Sequence, residues 1–329
     1  MNAVITGTGM NLPERVLTNA DVEAYCDTSD EWIRKRTGIG ARHRAEPGTG
    51  TSDLALPAAE AALAAAGLDA AELDAILFCT VTPDKFFPAS GNLLQGKLGA
   101  VKAASFDINA ACTGFVCGMA TANGFIQSGL YRKVLVVGAE ITSPLMYWER
   151  RDTAVLFGDG ASAVLLSRNE DPEIGVQSHF TRTDGGGMRS LWIYAGGSDR
   201  PIDEEVLRQK LHYVQMSGSD VFKFAIQAIS ESANKVMEQE GLADGDIRLM
   251  VPHQANQRII QAAAKKLNIP SEQVYVNIDR YGNTVGASVG LALCDAYHEN
   301  RLASGDKVLV VGFGAGLSWG ATVINWSLS

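Results

Sequence analysis

Short apolar runs alternate with amphipathic segments along the chain, and small-residue turns separate many of them. The runs Ala75–Cys79, Lys133–Gly138 and Lys307–Gly312 are short and rich in aliphatic residues, which is typical of buried strands in a parallel sheet. Between them, alanine-rich segments with apolar residues at helical spacing predict helices. The alternation of the two patterns predicts an α/β fold.

Capping residues mark where two of the predicted helices begin or end. Ser29 as N-cap and Gly38 as the terminating residue predict a helix over Asp30–Arg36. A second, alanine-rich helix is expected to open at Ser52 or Asp53.

The chain contains an internal repeat with an offset of 174 residues. The six residues Lys133–Gly138 recur letter for letter at Lys307–Gly312. A Gly-Leu pair ahead of Ala75–Cys79 also recurs, at the same offset, ahead of the apolar run Leu249–His253. Two matches at one offset and in one order predict a duplicated α/β domain. We expect the two halves to comprise residues 1–172 and 173–329.

Composition narrows the classes of function. The 329 residues are 46% hydrophobic and 20% charged, which predicts a large core and no long disordered stretch. A formal net charge of −9 argues against broad nucleic-acid binding. Five cysteines without a CxxC pair predict free thiols in a reducing compartment, and no apolar run is long enough to span a bilayer. We therefore expect a soluble cytoplasmic protein that binds neither nucleic acid nor membrane.

Cys112 is the first candidate for chemistry. It lies in the small-residue turn Ala110–Gly114, between the predicted strand end Phe106–Asn109 and a predicted helix. Peptide N–H groups and the helix dipole at such a turn favour a thiolate, so we expect a lowered pKa. On the local pattern alone, a small buried apolar cysteine is an equally good interpretation.

His253 and Asn283 occupy two similar junctions. His253 ends a predicted strand just before a helix, where α/β folds build their sites, although a helix-capping histidine fits this pattern too. Asn283 lies in the small-residue loop Tyr281–Ser288, and Gly-Asn there is also compatible with a simple turn. Cys, His and Asn at three strand–loop–helix junctions of a duplicated fold can face one crevice, which is far more specific than any one of them.

The glycine-rich turn Gly312–Gly320 suggests a dinucleotide site, but the spacing fails. A GxGxxG frame places Leu317 or Trp319 at the last glycine. We therefore reject a nucleotide-binding fingerprint. The backbone N–H groups of such a turn can instead form an oxyanion hole.

Taken together, these residues resemble the thiolase superfamily and, within it, the β-ketoacyl-acyl-carrier-protein synthase III family. The likeness runs over essentially the whole chain. The motifs that carry it are Thr28–Ile33, Arg36–Ile39, Ala111–Phe115, Phe157–Ala161, His253–Asn256, Gly282–Thr284 and Ser318–Gly320. The partner set of His and Asn differs from the His–His set of elongating synthases and from the second cysteine of thiolase proper. The resemblance implies a thiolase fold, with two duplicated halves in a layered αβαβα arrangement.

The resemblance also implies an acyltransferase. An acyl-CoA primer would form acyl-Cys112, which would condense with malonyl-acyl carrier protein to give a β-ketoacyl thioester and CO₂ at the initiation of fatty acid synthesis. No metal or cofactor is expected. One alternative is a specialised relative that acts on another acyl or acceptor substrate, as in polyketide, alkylquinolone or long-chain head-to-head condensation. A Cys-His-Asn thioester hydrolase and a non-catalytic acyl-binding protein are further alternatives.

By the same resemblance, Cys112 is the nucleophile, and His253 and Asn283 hydrogen-bond the malonyl thioester oxygen. The backbone N–H groups of Cys112 and Ala315 would form the oxyanion hole. Ala315 stands where the family usually has glycine, and Tyr281 where it often has histidine. The segment Thr181–Tyr213, which has no counterpart in the first half, is interpreted as an irregular insertion that shapes a site. These departures leave the identity of the acyl group open.

The remaining implied contacts are with substrates and partners. The residues expected to bind CoA and pantetheine are Trp32, Arg36, Thr37, Arg151, Gly218 and Asn256. In the expected homodimer, the acyl pocket is lined by Phe157, Met216 and the partner subunit's Phe87. The acidic carrier protein is expected to dock on the helix after His253, through Arg258, Lys265 and Lys266. An isolated basic cluster of this kind is more often simply a solvated helix face.

Overall fold

The computed structural model describes residues 2–243 and 245–329. Its strands are β1 (Asn2–Asn11), β2 (Val16–Thr18), β3 (Ala41–His43), β4 (Ala75–Cys79), β5 (Ala104–Ile108), β6 (Lys133–Glu140), β7 (Gly160–Asn169), β8 (Gly175–Thr183), β9 (Leu191–Ile193), β10 (Val214–Met216), β11 (Leu249–Pro252), β12 (Lys307–Gly314) and β13 (Ser318–Asn325). Its helices are α1 (Asn19–Glu23), α2 (Asp30–Thr37), α3 (Thr51–Ala65), α4 (Ser90–Leu98), α5 (Gly114–Gln127), α6 (Arg151–Ala154), α7 (Glu204–Arg208), α8 (Gly218–Gln239), α9 (Gln257–Lys266), α10 (Ile278–Tyr281) and α11 (Ser288–His298).

Two main sheets repeat one topology. The first has the strand order β1-β7-β6-β4-β5, and the second has the order β8-β13-β12-β11. In each sheet, two antiparallel pairs are followed by a parallel pair, which is β6 with β4 in the first sheet and β12 with β11 in the second. In the first sheet, β5 adds a further parallel pair with β4. The duplication predicted from the 174-residue offset is therefore confirmed. The connection between β7 and β8 contains residues 172 and 173, where we propose to divide the two halves.

Helices and sheets stack in five layers. Helices α5 and α11 contact strands of both sheets and form the middle layer. Helices α3 and α4 cover the first sheet, and α8 covers the second with α9 beside it. Apolar side chains fill each interface. Examples are Phe115 and Val310 in the middle, Leu135 under α3, and Ile260, which projects from α9 into the core of the second sheet. The expected αβαβα layering is confirmed.

Helix caps follow the local sequence. The Ser29 hydroxyl accepts a hydrogen bond from the backbone N–H of Trp32 at 3.2 Å, and Gly38 adopts a left-handed φ of 85° at the end of α2, both as predicted. Helix α3 begins slightly earlier than predicted, directly after Gly50. The Asp53 carboxylate accepts the N–H of Gly50 at 2.9 Å and so closes the first turn from inside the helix.

The segment 181–213 is more ordered than predicted. It contains the end of β8, a 3₁₀ turn over Gly185–Ser190, strand β9 and helix α7. Strand β9 pairs antiparallel with β10, and Leu191 lies opposite Met216. This two-stranded ribbon borders both cavities described below, so the segment does shape a site. None of the helices in the described part of the chain is long and apolar enough to cross a membrane.

Candidate active site

Cys112 lies at a sharp elbow between β5 and α5. The elbow is a 3₁₀ turn over Ala111–Thr113, and Ala111 adopts a left-handed φ of 47°. Strand β12 passes directly against it, since a Cβ added to Gly314 would lie 2.7 Å from the Cys112 Cβ and 2.9 Å from its Sγ. Only glycine fits at that point of β12. The Cys112 side chain is buried, with 4% of its residue surface exposed.

His253 follows β11 directly. Its backbone N–H donates to the Val311 carbonyl oxygen of β12 at 2.7 Å, and its ring packs edge-on against Phe313 at 5.2 Å between centroids. Nδ1 is buried without a hydrogen-bond partner among the described residues, so Nε2 is the nitrogen that reaches the cavity. Burial lowers the pKa of His253 to about 3, and the imidazole is therefore neutral at pH 7.

Asn283 is held by its backbone on both sides. Its N–H donates to the Leu156 carbonyl oxygen at 2.9 Å, and its carbonyl oxygen accepts the Gly158 N–H at 3.0 Å. The side-chain Oδ1 accepts the backbone N–H of Val285 at 2.9 Å. This hydrogen bond fixes the amide orientation, because it leaves Nδ2 as the group that can donate to a ligand.

Cys112, His253 and Asn283 line one cavity of about 190 Å³. The cysteine comes from the first half and the other two from the second, so the cavity lies where the duplicated halves meet. All six residues expected to bind CoA and pantetheine line the same cavity, namely Trp32, Arg36, Thr37, Arg151, Gly218 and Asn256. No single local sequence signal indicates that these nine residues share one cavity.

A cationic and aromatic pair lies at the wall of this first cavity. The Arg151 guanidinium stacks over the Trp32 ring at 4.4 Å and donates to the Asp27 carbonyl oxygen at 3.0 Å. The Asn256 side-chain amide donates to the Arg36 carbonyl oxygen at 3.1 Å and thereby joins α9 to α2. Flat, electron-rich rings such as nucleobases stack well on such a pair.

Cys112 also lines a second cavity, of about 340 Å³. Side chains that line this second cavity but not the first include Val81, Leu145, Met146, Trp192, Ile193 and Val214. Phe157 and Leu191 line both cavities and form the boundary between them. Strand β9 belongs to the segment 181–213, which was expected to shape a site, although its place at the second cavity was not predicted.

The three residues expected in the acyl pocket occupy different positions in the protomer. Met216 lines the first cavity, together with Cys112 and Phe157, and its place in the acyl pocket stays a prediction. Met216 lies on β10 opposite Leu191, which lines both cavities, and Val214, two residues earlier on β10, lines the second. Phe87 lines neither cavity of its own protomer and is 85% exposed.

The expectation of a lowered Cys112 pKa is wrong. Burial raises the pKa of the Cys112 thiol to about 12, and the nearby carboxylate of Glu140 acts in the same direction. The backbone N–H groups of Cys112 and Ala315 hydrogen-bond to Sγ and oppose this shift. Desolvation outweighs the favourable turn, because a charged sulfur in an apolar cavity loses its hydration. The same two N–H groups are those predicted for the oxyanion hole.

Glu140 is a buried carboxyl group that sequence reasoning missed. Its Oε1 accepts the backbone N–H groups of Val81 at 3.1 Å and Gly286 at 3.3 Å, and its Oε2 accepts the Thr82 hydroxyl at 2.6 Å. Burial raises the pKa of Glu140 to about 7, against the opposing effect of these hydrogen bonds. The carboxyl group therefore joins β6 to the chain after β4 and to the turn that follows Asn283.

Helix α9 presents a basic face to solvent. Arg258, Lys265 and Lys266 are exposed, whereas Ile259 and Ile260 are buried against the second sheet. None of the three basic side chains forms an ion pair with the described residues. Across residues 2–243 and 245–329, no group of three or more His, Cys, Asp or Glu side chains is arranged to hold a metal ion.

Two duplicated halves in five layers, with Cys, His and Asn at their junction, define a protein of the thiolase-fold class. Models described as 3-oxoacyl-[acyl-carrier-protein] synthase III and its C-terminal part match residues 106–185 and 237–326.

Proteins named β-ketoacyl-[acyl-carrier-protein] synthase III are similar over nearly the full length. The one from Symbiobacterium thermophilum is 49% identical over 322 residues, which is 98% of this chain and 97% of the relative. The one from Caldanaerobacter subterraneus is 47% identical over 325 residues, covering 99% and 98%. The crystal structure of 3-oxoacyl-[acyl-carrier-protein] synthase III from Aquifex aeolicus has 42% identity and a TM-score of 0.91, covering 98% of this chain and 100% of that one. This chain therefore belongs to the 3-oxoacyl-[acyl-carrier-protein] synthase III family, and it is a condensing enzyme of the acyltransferase type.

Proposed function

We propose that this enzyme joins an acyl-CoA primer to malonyl-acyl carrier protein and thereby initiates fatty acid synthesis. The observation that carries the proposal is the position of Cys112 between two cavities. One cavity holds His253, Asn283 and the cationic-aromatic pair, and the other is apolar. A group held on Cys112 can therefore lie in the apolar cavity while a second thioester enters through the first.

In the first half-reaction, the Cys112 sulfur attacks the acyl-CoA carbonyl carbon. A new C–S bond forms, the bond to the CoA sulfur breaks, and the thiol proton ends on CoA. The N–H groups of Cys112 and Ala315 stabilise the tetrahedral oxyanion, and each such donor is typically worth about 10²–10³ in rate. The resting thiol is neutral, so the proton leaves only as the new bond forms.

In the second half-reaction, the malonyl thioester loses CO₂ and becomes an enolate. Negative charge develops on its thioester oxygen, to which His253 Nε2 and Asn283 Nδ2 can both donate hydrogen bonds. A neutral imidazole suits this task, since decarboxylation itself supplies the electron pair and no base has to remove a proton. The enolate carbon attacks the acyl-Cys112 carbonyl, a C–C bond forms, and the cysteine sulfur leaves and takes up a proton.

Substrate contacts follow from the same cavity. We assign the adenine of CoA to Trp32 and Arg151, and the pantetheine arm to the wall that contains Thr37, Gly218 and Asn256, with Arg36 beside it. The exposed basic face of α9 adjoins this wall through Asn256, the N-cap of the helix. It suits an acidic carrier protein that must deliver its pantetheine arm into the first cavity. This chemistry requires neither a metal nor a redox cofactor.

An unpaired sheet edge supports a homodimer. Strand β5 is the last strand of the first sheet, and Phe106 on it is 39% exposed. Phe86 and Phe87, on the loop before α4, are 91% and 85% exposed. Bare edges and clustered exposed aromatic residues are usually covered by a partner. We propose that β5 meets a second copy and that the partner subunit's Phe87 reaches the second cavity. Free cysteines also fit the reducing cytoplasm.

The direct test is formation of a carbon–carbon bond. The enzyme is incubated with a panel of acyl-CoAs and malonyl-acyl carrier protein, and β-ketoacyl-carrier protein is detected by mass spectrometry. We expect product with wild type and none with Cys112→Ala. Free fatty acid as the sole product would favour a thioester hydrolase. Product only with an acceptor other than the malonyl carrier protein would favour a specialised relative. The 47–49% identity to synthases III does not favour that alternative.

A further inference from the structure

Gln254 is buried directly beside His253, and its side-chain amide is fully engaged with the protein. The residue is 1% exposed. Its Nε2 donates to the carbonyl oxygens of Pro252 at 2.8 Å and Tyr275 at 3.2 Å, and its Oε1 accepts the backbone N–H of Asn277 at 3.0 Å. Because the amide faces two acceptors and one donor, only one of its two orientations satisfies all three partners. Both amide hydrogens are used, so none is left for a substrate.

The hydrogen bonds of Gln254 reach the loop that carries Asn283 at both of its ends. Asn277 lies six residues before Asn283 and is the N-cap of α10. Ser288 lies five residues after Asn283 and begins α11, and its hydroxyl accepts the backbone N–H of Gln254 at 2.9 Å. One residue next to His253 therefore contacts both the entrance and the exit of the Asn283 loop.

The entrance of this loop is also anchored on its far side. The Asn277 Nδ2 donates to the Asp295 carboxylate on α11 at 2.9 Å. The same carboxylate accepts hydrogen bonds from Arg280 at 3.0 Å and from the Tyr281 hydroxyl at 3.3 Å, both on α10. Buried polar networks in which every member has a partner are rigid. Helix α10 is thus held firmly enough to pass the position of Gln254 on to Asn283.

The second half-reaction is the step that depends on this spacing. His253 and Asn283 must donate to one and the same thioester oxygen, and a misplacement of about 1 Å can cost about 10²-fold in rate. Acylation uses Cys112 and the N–H group of Ala315, which lie on other elements. Among the described residues, no hydrogen bond of Gln254 reaches either of them.

We propose that Gln254 is a positioning residue that sets the spacing of His253 and Asn283 for decarboxylation of the malonyl thioester, without a role in acylation of Cys112. The proposal rests on the function proposed above. It assigns to a buried amide, which touches no substrate, the alignment of the two donors that do.

The experiment measures the two half-reactions separately in Gln254→Met, which keeps the length of the side chain and removes its three hydrogen bonds. Intact mass follows acyl-Cys112, and CO₂ release follows decarboxylation. We expect decarboxylation to slow by about 10²-fold while acylation stays within about threefold of wild type. Thr322→Val is the matched control, since it removes the buried hydrogen bond of the Thr322 hydroxyl to the Ser178 carbonyl oxygen on the second sheet and should change neither rate.

A double variant separates positioning from a general loss of structure. In the Asn283→Ala background, Gln254→Met should slow decarboxylation by no more than about threefold, because the donor that it aligns is already gone. A further loss of about 10²-fold in that background would overturn the proposal.

Asn277→Ala keeps the proposal testable if Gln254→Met does not fold. It removes only the hydrogen bond to Asp295 and should slow decarboxylation more than acylation. Equal losses in both half-reactions, or an unchanged decarboxylation rate, would overturn the positioning role while the condensing function stands. A wild-type enzyme that releases no CO₂ from malonyl-acyl carrier protein would instead overturn the proposed function itself.

Discussion

Burial decides the protonation of the reactive side chains. The pKa of Cys112 rises to about 12 and that of His253 falls to about 3, so both groups are uncharged at pH 7. Charge therefore develops at this site only when a substrate is present to accept it. The backbone N–H groups of Cys112 and Ala315, with the two donors His253 and Asn283, are positioned for that developing charge.

The raised thiol pKa has a direct chemical signature. We expect the rate of Cys112 alkylation by iodoacetamide to rise about tenfold per pH unit between pH 7 and pH 10 without a plateau. Peptide mapping by mass spectrometry separates Cys112 from the partly exposed Cys26 and Cys117, and Cys112→Ser gives the background. A plateau reached below pH 8 would mean that the helix N-terminus, and not burial, governs this thiol.

Glu140 offers a test of the electrostatics around Cys112. Replacing Glu140 by Gln removes a buried negative charge and keeps the shape, so we expect faster Cys112 alkylation at pH 8.

The pKa of Glu140 is raised in the folded state, so ionisation opposes folding, and stability falls as pH rises from about 4.5 to about 7. Wild type should lose up to about 3 kcal/mol more than Glu140→Gln between pH 4 and pH 8. Chemical denaturation at both pH values measures this, and equal losses would contradict it.

Asn283 separates the two half-reactions. Asn283→Ala should still form acyl-Cys112 but lose malonyl decarboxylation, because the amide serves the second thioester oxygen. Loss of one donor to a developing oxyanion typically costs about 2.7–4 kcal/mol in the barrier. Intact mass follows the acyl-enzyme, and CO₂ release follows decarboxylation. A variant that loses acylation and decarboxylation equally would show that Asn283 shapes the whole site and does not serve one step.

At the scale of elements, one elbow is used twice. The 3₁₀ turn Ala111–Thr113 precedes α5, and the turn Val285–Ala287 precedes α11, 174 residues later. Both begin with a left-handed residue, with φ values of 47° and 48°. In the first copy, Cys112 in the middle of the turn supplies the nucleophile. In the second copy, Gly286 stands at the matching position, and its backbone N–H donates to Glu140 Oε1.

The α9 face predicts how the carrier protein docks. Arg258→Glu should raise KM for malonyl-carrier protein much more than KM for acyl-CoA, since a charge reversal repels an acidic partner. In wild type, added salt should raise the carrier-protein KM, because exposed charges are screened over about 10 Å at 0.1 M. Lys235→Glu, on the exposed surface of α8, is the matched control and should change neither constant. An unaffected carrier-protein KM in Arg258→Glu would leave α9 as a solvated face.

Local signals carried most of what could be predicted from the sequence. The strand Ala75–Cys79 and the caps of α2 depend on neighbouring residues alone, and both were placed correctly. The cavity that Met216 lines depends on packing between distant segments, for which the sequence carries no local signal. The prediction for the Cys112 pKa failed for this reason, since the helix N-terminus is a local feature and desolvation is a property of the whole fold.

At the scale of the molecule, the feature that bears on assembly is the β5 edge of the first sheet. Among residues 2–243 and 245–329, strand β5 pairs with β4 alone, and its exposed Phe106 lies in the same half as Phe86 and Phe87. In a homodimer this edge would be covered, and the second cavity would gain a wall from the partner. The acyl pocket and the oligomeric state would then depend on each other.

Introducing a charge on this edge tests the dependence. Phe106→Asp should shift the protein from dimer to monomer in sedimentation velocity, and acyl-Cys112 formation should weaken as the second cavity loses the partner's contribution. Leu207→Asp, on α7, introduces the same charge at another exposed apolar residue and should leave the dimer intact. A wild-type protein that sediments as a monomer would refute the dimer and the role of Phe87 together.

The fate of acyl-Cys112 tests the central claim most directly. Wild-type enzyme is loaded with an acyl-CoA, freed of excess substrate, and followed by intact mass with and without malonyl-acyl carrier protein. We predict an acyl-enzyme that persists in buffer and is discharged on addition of the malonyl thioester, with β-ketoacyl-carrier protein and CO₂ formed in equal amounts. Rapid, steady release of free acid in buffer alone would contradict the condensing mechanism and identify a hydrolase.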